Sequence, residues 1–213
     1  YPLKKLPTTL TDLKCDKEIN CSFPNLTHLS ISDKCQLNNL HLLKELEIYS
    51  DFNSPLNILP DTLESLTIAN RNFNQPLINL PKALQILEIS SGVFNQSLDN
   101  LPENLEILRL QCDNLSHSLD QLPQKLYRLS LNCRNFNQPI NHLPKKLEYL
   151  GIQCDNYNHS LNNLPDSLIK FLISCEGNIS FDNLPNTLKS LEIYMPTFNQ
   201  PLDHLPNKLQ KLL

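Results

Sequence analysis

Cysteine and histidine are the residues of this chain best suited to chemistry, and their spacing limits what they can do. The seven cysteines stand at 15, 21, 35, 112, 133, 154 and 175, with no C-x-x-C pair and no cysteine–histidine spacing of a zinc site. Cys112, Cys133, Cys154 and Cys175 follow one another at steps of 21 residues, which places them in one column of a repeating structure. Such a column is either a metal or redox ladder or a line of small apolar filler at the margin of a sheet, because the same position also holds Asp33, Ser50, Asn70, Ser91 and Met195. Stacked parallel strands bring Cα atoms within disulfide reach but present parallel Cβ vectors, so free thiols are expected.

The six histidines read as ordinary polar positions. His117 and His159 share one slot two repeats apart, about 10 Å in a regular stack and too far to share a metal. His142 and His204 occupy a slot that elsewhere holds Asn or Gln. With three glycines there is neither a Gly-rich phosphate loop nor a nucleophile elbow. The expectation is a non-enzyme with no cofactor and no metal.

The elements that position these residues come from a repeat. Leu-Pro pairs begin at 59, 80, 101, 122, 143, 164, 184 and 205, at steps of 21 broken once by a step of 20. Each is followed by one apolar frame, as in LPDTLESLTI, LPKALQILEI and LPENLEILRL, and preceded by a phrase such as FNQPLINLP or FNQSLDNLP. The frame continues backwards at shorter spacing through FPNLTHLSI and LPTTLTDLKC.

L-x-x-L-x-L is the leucine-rich-repeat frame. Its L-x-L alternation puts both apolar side chains on one face of a strand, and a unit that cannot bury that face alone must stack on its neighbours. The predicted fold is a mainly β leucine-rich-repeat solenoid, with a parallel sheet on the concave face and extended or 3₁₀ segments on the convex face. Some 21 residues, rich in Pro and Asn, leave no room for a long return helix. Residues 1–213 form one array in this reading, with shorter divergent repeats over 1–49 and regular ones over 50–213. The start without Met and the stop within a repeat phrase mark it as a piece of a longer protein.

Two columns have structural duties. Phe52, Phe73, Phe94, Leu115, Phe136, Tyr157 and Phe198 should plug the core. Asn53, Asn74, Asn95, Asn137, Asn158 and Asn199 should form a buried column that satisfies backbone groups, each worth roughly 1–3 kcal/mol. In the short step, SCEGNISFDNLP lacks the Phe-Asn pair; Ile179 is expected to fill the aromatic slot, with Gly177 relieving the backbone.

FNQPL, Leu-Pro and L-x-x-L-x-I at this period resemble the FNIP repeats of social amoebae and giant DNA viruses, well over Phe52–Leu213 and weakly before. The resemblance implies an interaction scaffold. It also implies an F-box context, in which the array would be the substrate-recruiting arm of a ubiquitin ligase, although no F-box is present in these residues.

The remaining functional signal is on the concave face, where Ile86, Ile107, Arg109, Arg128, Tyr149 and Leu172 bring exposed aliphatics, Arg and Tyr together over five rungs. Exposed apolar clusters and Tyr and Arg mark protein-binding surfaces, so the expected partner is a protein. The net charge of -4 argues against nucleic acid, and no apolar run is long enough to span a bilayer. The odd cysteine count and the absence of a signal peptide point to the cytoplasm, of the host if the protein is viral. N-x-S/T triplets at Asn20, Asn25, Asn95, Asn114, Asn158 and Asn178 leave a secreted, glycosylated adhesion array as the alternative.

Overall fold

Among the described residues, leucine and isoleucine alternating with polar residues produce strands of two to six residues, and only the frame segments do so. The computed structural model describes residues 7–15, 23–32, 40–49, 53, 55–56 and 59–213. Asp16, Asn20, Cys21, Asp33, Cys35, Ser50 and Phe52 lie outside the described residues.

The strands are β1 (Asp12–Cys15), β2 (His28–Ile31), β3 (Glu45–Tyr49), β4 (Ser65–Ala69), β5 (Ile86–Ser90), β6 (Ile107–Cys112), β7 (Arg128–Cys133), β8 (Tyr149–Gln153), β9 (Lys170–Ser174), β10 (Ser190–Tyr194) and β11 (Lys211–Leu212). They pair in chain order into one parallel 11-stranded sheet. No helix occurs among the described residues.

Before most strands, Pro-x-x-Leu makes one tight turn, in which the Leu N–H donates to the Pro carbonyl, as from Leu84 to Pro81 at 3.1 Å and Leu147 to Pro144 at 3.0 Å. A second single turn of the same kind follows several strands, where the plug N–H donates to the carbonyl three residues back, as from Phe94 to Ser91 at 3.1 Å and Phe136 to Cys133 at 2.9 Å. The turn leucine and both strand leucines or isoleucines are then buried together, for example Leu84, Leu87 and Ile89. Opposite them the return segment contributes its aromatic plug and two leucines, Phe73, Leu77 and Leu80 in one rung. Phe73 stacks on Phe94 with ring centroids 6.1 Å apart and planes 7° from parallel, and Phe136 on Tyr157 at 6.2 Å and 6°.

The phrase alternates between Pro and Ser at its fourth position, and the two residues do one job. At Ser97, Ser118, Ser160 and Ser180 the hydroxyl accepts the N–H of the residue two further on, at 3.1–3.2 Å. At Pro76, Pro139 and Pro201 the ring fixes φ instead.

The Asn column runs along the exposed or half-exposed edge of the return side, which corrects its expected burial. Four of the six Asn side-chain oxygens accept the backbone N–H of the same slot one rung on: Asn53 from Asn74 at 3.1 Å, Asn74 from Asn95 at 2.9 Å, Asn95 from Ser116 at 3.0 Å, and Asn137 from Asn158 at 3.3 Å. The next slot continues the ladder. Gln75 and Gln96 donate to the Asn of the preceding rung, and His117 and His159 lie against the carbonyls of Asn95 and Asn137 at 3.3 and 3.0 Å.

At the short rung Asn178 takes the Asn slot, accepting the Asn199 N–H at 3.2 Å and donating its amide to Asn199 at 2.7 Å. The deleted residue is therefore the aromatic itself. Ile179 is buried, but it stands one slot past the plug, in the position of His159, which corrects its expected place. Gly177 moves into the space: a Cβ there would lie 2.1 Å from the Tyr157 carbonyl oxygen. Phe181, in the slot that holds Leu161 one rung earlier, supplies the missing volume and meets Phe198 edge-on at 5.5 Å.

Candidate functional site

Because every strand is in register with the next, residues one repeat apart, 21 positions or 20 at the short rung, form continuous stripes over the concave face. One stripe runs Ile86, Ile107, Arg128, Tyr149, Lys170, and the central one runs Glu88, Arg109, Ser130, Gly151, Leu172, Glu192. The six residues expected to bind a partner thus lie side by side on β5–β9. They are half-buried rather than exposed.

Tyr149 is the centre of that packing. Its ring leans over Gly151, where a Cβ would meet the hydroxyl oxygen at 3.1 Å and Cε1 at 3.2 Å. The guanidinium of Arg128 covers the ring at 4.2 Å from its centroid, and Lys170 approaches it at 5.8 Å. Gly151 was not singled out by type, yet it is the seat of the tyrosine. Its signal in the sequence is that no other described strand has Gly at the centre of L-x-L.

The flanking charges differ in how they are balanced. Arg109 pairs with Glu88 on the neighbouring strand. Lys170 and Lys211 converge on the carboxylate of Glu192 at 2.8 and 3.2 Å. The bond to Glu192 raises the Lys170 pKa, and the two ammonium groups hold Glu192 below the usual carboxylate range. Arg128 pairs with no carboxylate among the described residues, and its Nε is buried without a hydrogen-bond partner.

Charge is segregated along the face. Asp12, Glu45, Glu47 and Glu88 oppose only Lys14 on β1–β5, whereas Arg109, Arg128, Lys170 and Lys211 oppose only Glu192 on β6–β11. At the acidic end His28 lies between Asp12 and Glu45, at 3.0 and 3.4 Å. There the hydroxyl of Tyr49 donates to Glu47, which raises the tyrosine pKa. Tyr127 and Ile169 stand exposed immediately before β7 and β9, beside the cationic half. They precede the L-x-L triplet, so a reading by strand stripes misses them.

The other titratable groups serve the scaffold. His142 and His204 sit against Asp120 and Asp182 at 3.0 and 3.3 Å; these carboxyls are held low first by the Ser118 and Ser180 hydroxyls and then by the histidines. The cysteine column is buried at Cys112, Cys133, Cys154 and Cys175, not at an open margin, and its described polar members, Asn70 and Ser91, are hydrogen-bonded inside. The Ser91 hydroxyl donates to the Phe73 carbonyl at 2.8 Å, and Asn70 accepts the Asn72 N–H at 2.8 Å. Among the described residues no cluster of three or more His, Cys, Asp or Glu could hold a metal ion, and no helix is long and apolar enough to cross a membrane.

Comparison with solved structures agrees with this architecture. The chain is similar to CroV588 of a giant virus, a novel circular leucine-rich-repeat protein, with 30% identity and a TM-score of 0.83 over 97% of this chain and 34% of that one. It therefore spans about a third of the length of that relative. It shares the fold, at lower identity, with the internalin InlF of Listeria monocytogenes (19%, TM-score 0.54, 89% of this chain and 68% of that one). The same holds for YopM of Yersinia enterocolitica (22%, TM-score 0.52, 99% and 57%). No curated protein matches the sequence. The array is a leucine-rich-repeat solenoid, and residues 52–92 within it match the FNIP Repeat model.

Proposed function

We propose that the array is a non-enzymatic scaffold that binds an acidic, aromatic-containing segment of another protein across the concave face of β5–β9. The observation that carries this reading is Tyr149, a rigid aromatic laid over Gly151 and flanked by two cations, one of which has no carboxylate partner among the described residues. Such an anchor presents both an apolar face and unneutralised positive charge. Leu172, beside Gly151 on the next strand, and Ile107 and Ile86, two and three strands away, extend the apolar surface of the same face, and the acidic half of the face sets the direction in which a charged partner lies. Joined to an F-box, the same face would hold the substrate of a ubiquitin ligase. The fold's general use as an interaction scaffold and the protein relatives of similar architecture support a protein partner.

The test is a random-peptide display selection on the immobilised array. Acidic peptides should be enriched, and they should bind the Tyr149→Ala, Arg128→Ala double variant at least roughly 30-fold more weakly, the loss expected when central anchors are truncated. Enriched peptides that are basic, or that bind the double variant as tightly as the native array, would reject this site.

A further inference from the structure

Cys112 and Cys133 end β6 and β7 as a register pair, and their Sγ atoms lie 3.0 Å apart. Neighbouring strands stand about 4.8 Å apart, inside the Cα range that a disulfide accepts. The objection that stacked strands present parallel Cβ vectors is met by the side chains themselves, which turn their sulfurs toward each other. Cys154 and Cys175, next in the column, have no sulfur contact of this kind among the described residues. A polar cleft of about 350 Å³, lined by Arg71, Ser91, Gly92, Cys112, Asp113 and Arg134, opens on the Cys112 side.

We propose that Cys112 and Cys133 are a redox pair that closes to a disulfide when a hydroperoxide enters this cleft. The Cys112 thiol gives up its proton and the thiolate attacks the peroxide; an S–O bond forms, the O–O bond breaks, the departing hydroxide or alkoxide takes up that proton, and the sulfur is oxidised to the sulfenic acid. The Cys133 sulfur then attacks the Cys112 sulfur. The S–S bond forms, the S–O bond breaks, and the departing hydroxide takes the Cys133 proton as water. Two thiols and one peroxide thus become one disulfide and two hydroxyl-bearing products, water when the oxidant is hydrogen peroxide.

The two sulfurs are suited to different roles. The close sulfur–sulfur contact with Cys133 holds the Cys112 thiol below its ordinary pKa, against the opposing effects of burial and Asp113. The same contact, then burial, raises Cys133, whose S–H lies against the Leu110 carbonyl at 3.8 Å, and keeps it protonated until Cys112 is oxidised. Cys154 is pushed up to about 12 by burial and serves as the internal control. The disulfide staples the rung of Arg109 to the rung of Arg128, so it stiffens the cationic half of the concave face. In a reducing compartment such a link is transient, reopened by cellular thiols.

The reduced protein is exposed to hydrogen peroxide, its remaining thiols are alkylated with N-ethylmaleimide, and the cross-linked peptides are mapped by mass spectrometry. The expected product is a Cys112–Cys133 link with Cys154 and Cys175 alkylated after unfolding. In the reduced native protein Cys112 should react with iodoacetamide at least roughly tenfold faster than Cys154, since the larger thiolate fraction outweighs its lower nucleophilicity. In Cys133→Ala a dimedone-reactive sulfenic acid should persist on Cys112, and Cys154→Ala should leave the link unchanged. Native protein that remains free of the Cys112–Cys133 link, or that links other cysteines at the same rate, overturns the proposal without any variant.

Discussion

The rungs of Phe136 and Tyr157 and the short rung that follows solve one packing problem in two ways. In the first, successive aromatics lie nearly parallel, 6.2 Å between centroids. In the second the aromatic is deleted, Gly177 closes in on Tyr157, and Phe181 reaches across from the leucine slot to Phe198 at 65°. The Asn bonding serves both kinds of rung, since Asn178 bonds Asn199 as Asn137 bonds Asn158. A close-packed interior requires that volume be replaced but leaves open which slot replaces it. The backbone register is held separately, by hydrogen bonds on the outer edge.

Removing the plug should break the regular rung most severely. Phe136→Ala leaves a cavity between Leu115 and Tyr157 and should lower stability by about 3–5 kcal/mol in urea unfolding. A loss below about 1 kcal/mol would show that the stack is not a core element. The next largest effect should come from the short rung. Gly177→Ala drives a methyl group into the Tyr157 carbonyl, a backbone atom that can retreat only with its rung, and the expected cost is roughly 1–3 kcal/mol. Gly92→Ala is the matched control, because its Cβ would meet only the movable Asp113 carboxylate at 3.2 Å. Equal melting temperatures for the two variants would mean that the short rung is no tighter than the others.

The same contrast separates what the sequence discloses from what it conceals. Period, strand stripes and core frame follow from L-x-x-L-x-L alone, because one chemical pattern recurs often enough to fix a register. The aromatic plugs were legible for the same reason. The short rung was not, since a one-residue deletion can be placed at Ile179 or at the plug with equal economy, and only the Asn178–Asn199 bonds decide it. For the concave face, the stripe positions of Arg128 and Tyr149 were readable, but not that the ring lies over Gly151 or that Arg109 is neutralised while Arg128 is not, because those depend on rotamers. The Cys column was visible as a period; that two of its sulfurs face each other was not.

The smallest effect concerns the ladder that both kinds of rung share. Asn137→Ala removes the acceptor of the Asn158 N–H, but the side chain is exposed and water can take its place, so the loss should be about 0.5–1.5 kcal/mol rather than the cost of an orphaned buried group. Asn178→Ala removes two bonds to Asn199 at a rung whose plug is missing, where less packing remains to hold the register. It should therefore cost more than Asn137→Ala and should raise amide exchange at Asn199 and its neighbours, whereas Asn137→Ala should raise exchange chiefly at Asn158. Matching midpoints and matching exchange in the two variants would show that packing alone fixes the register, and the division between volume and edge bonding would fall.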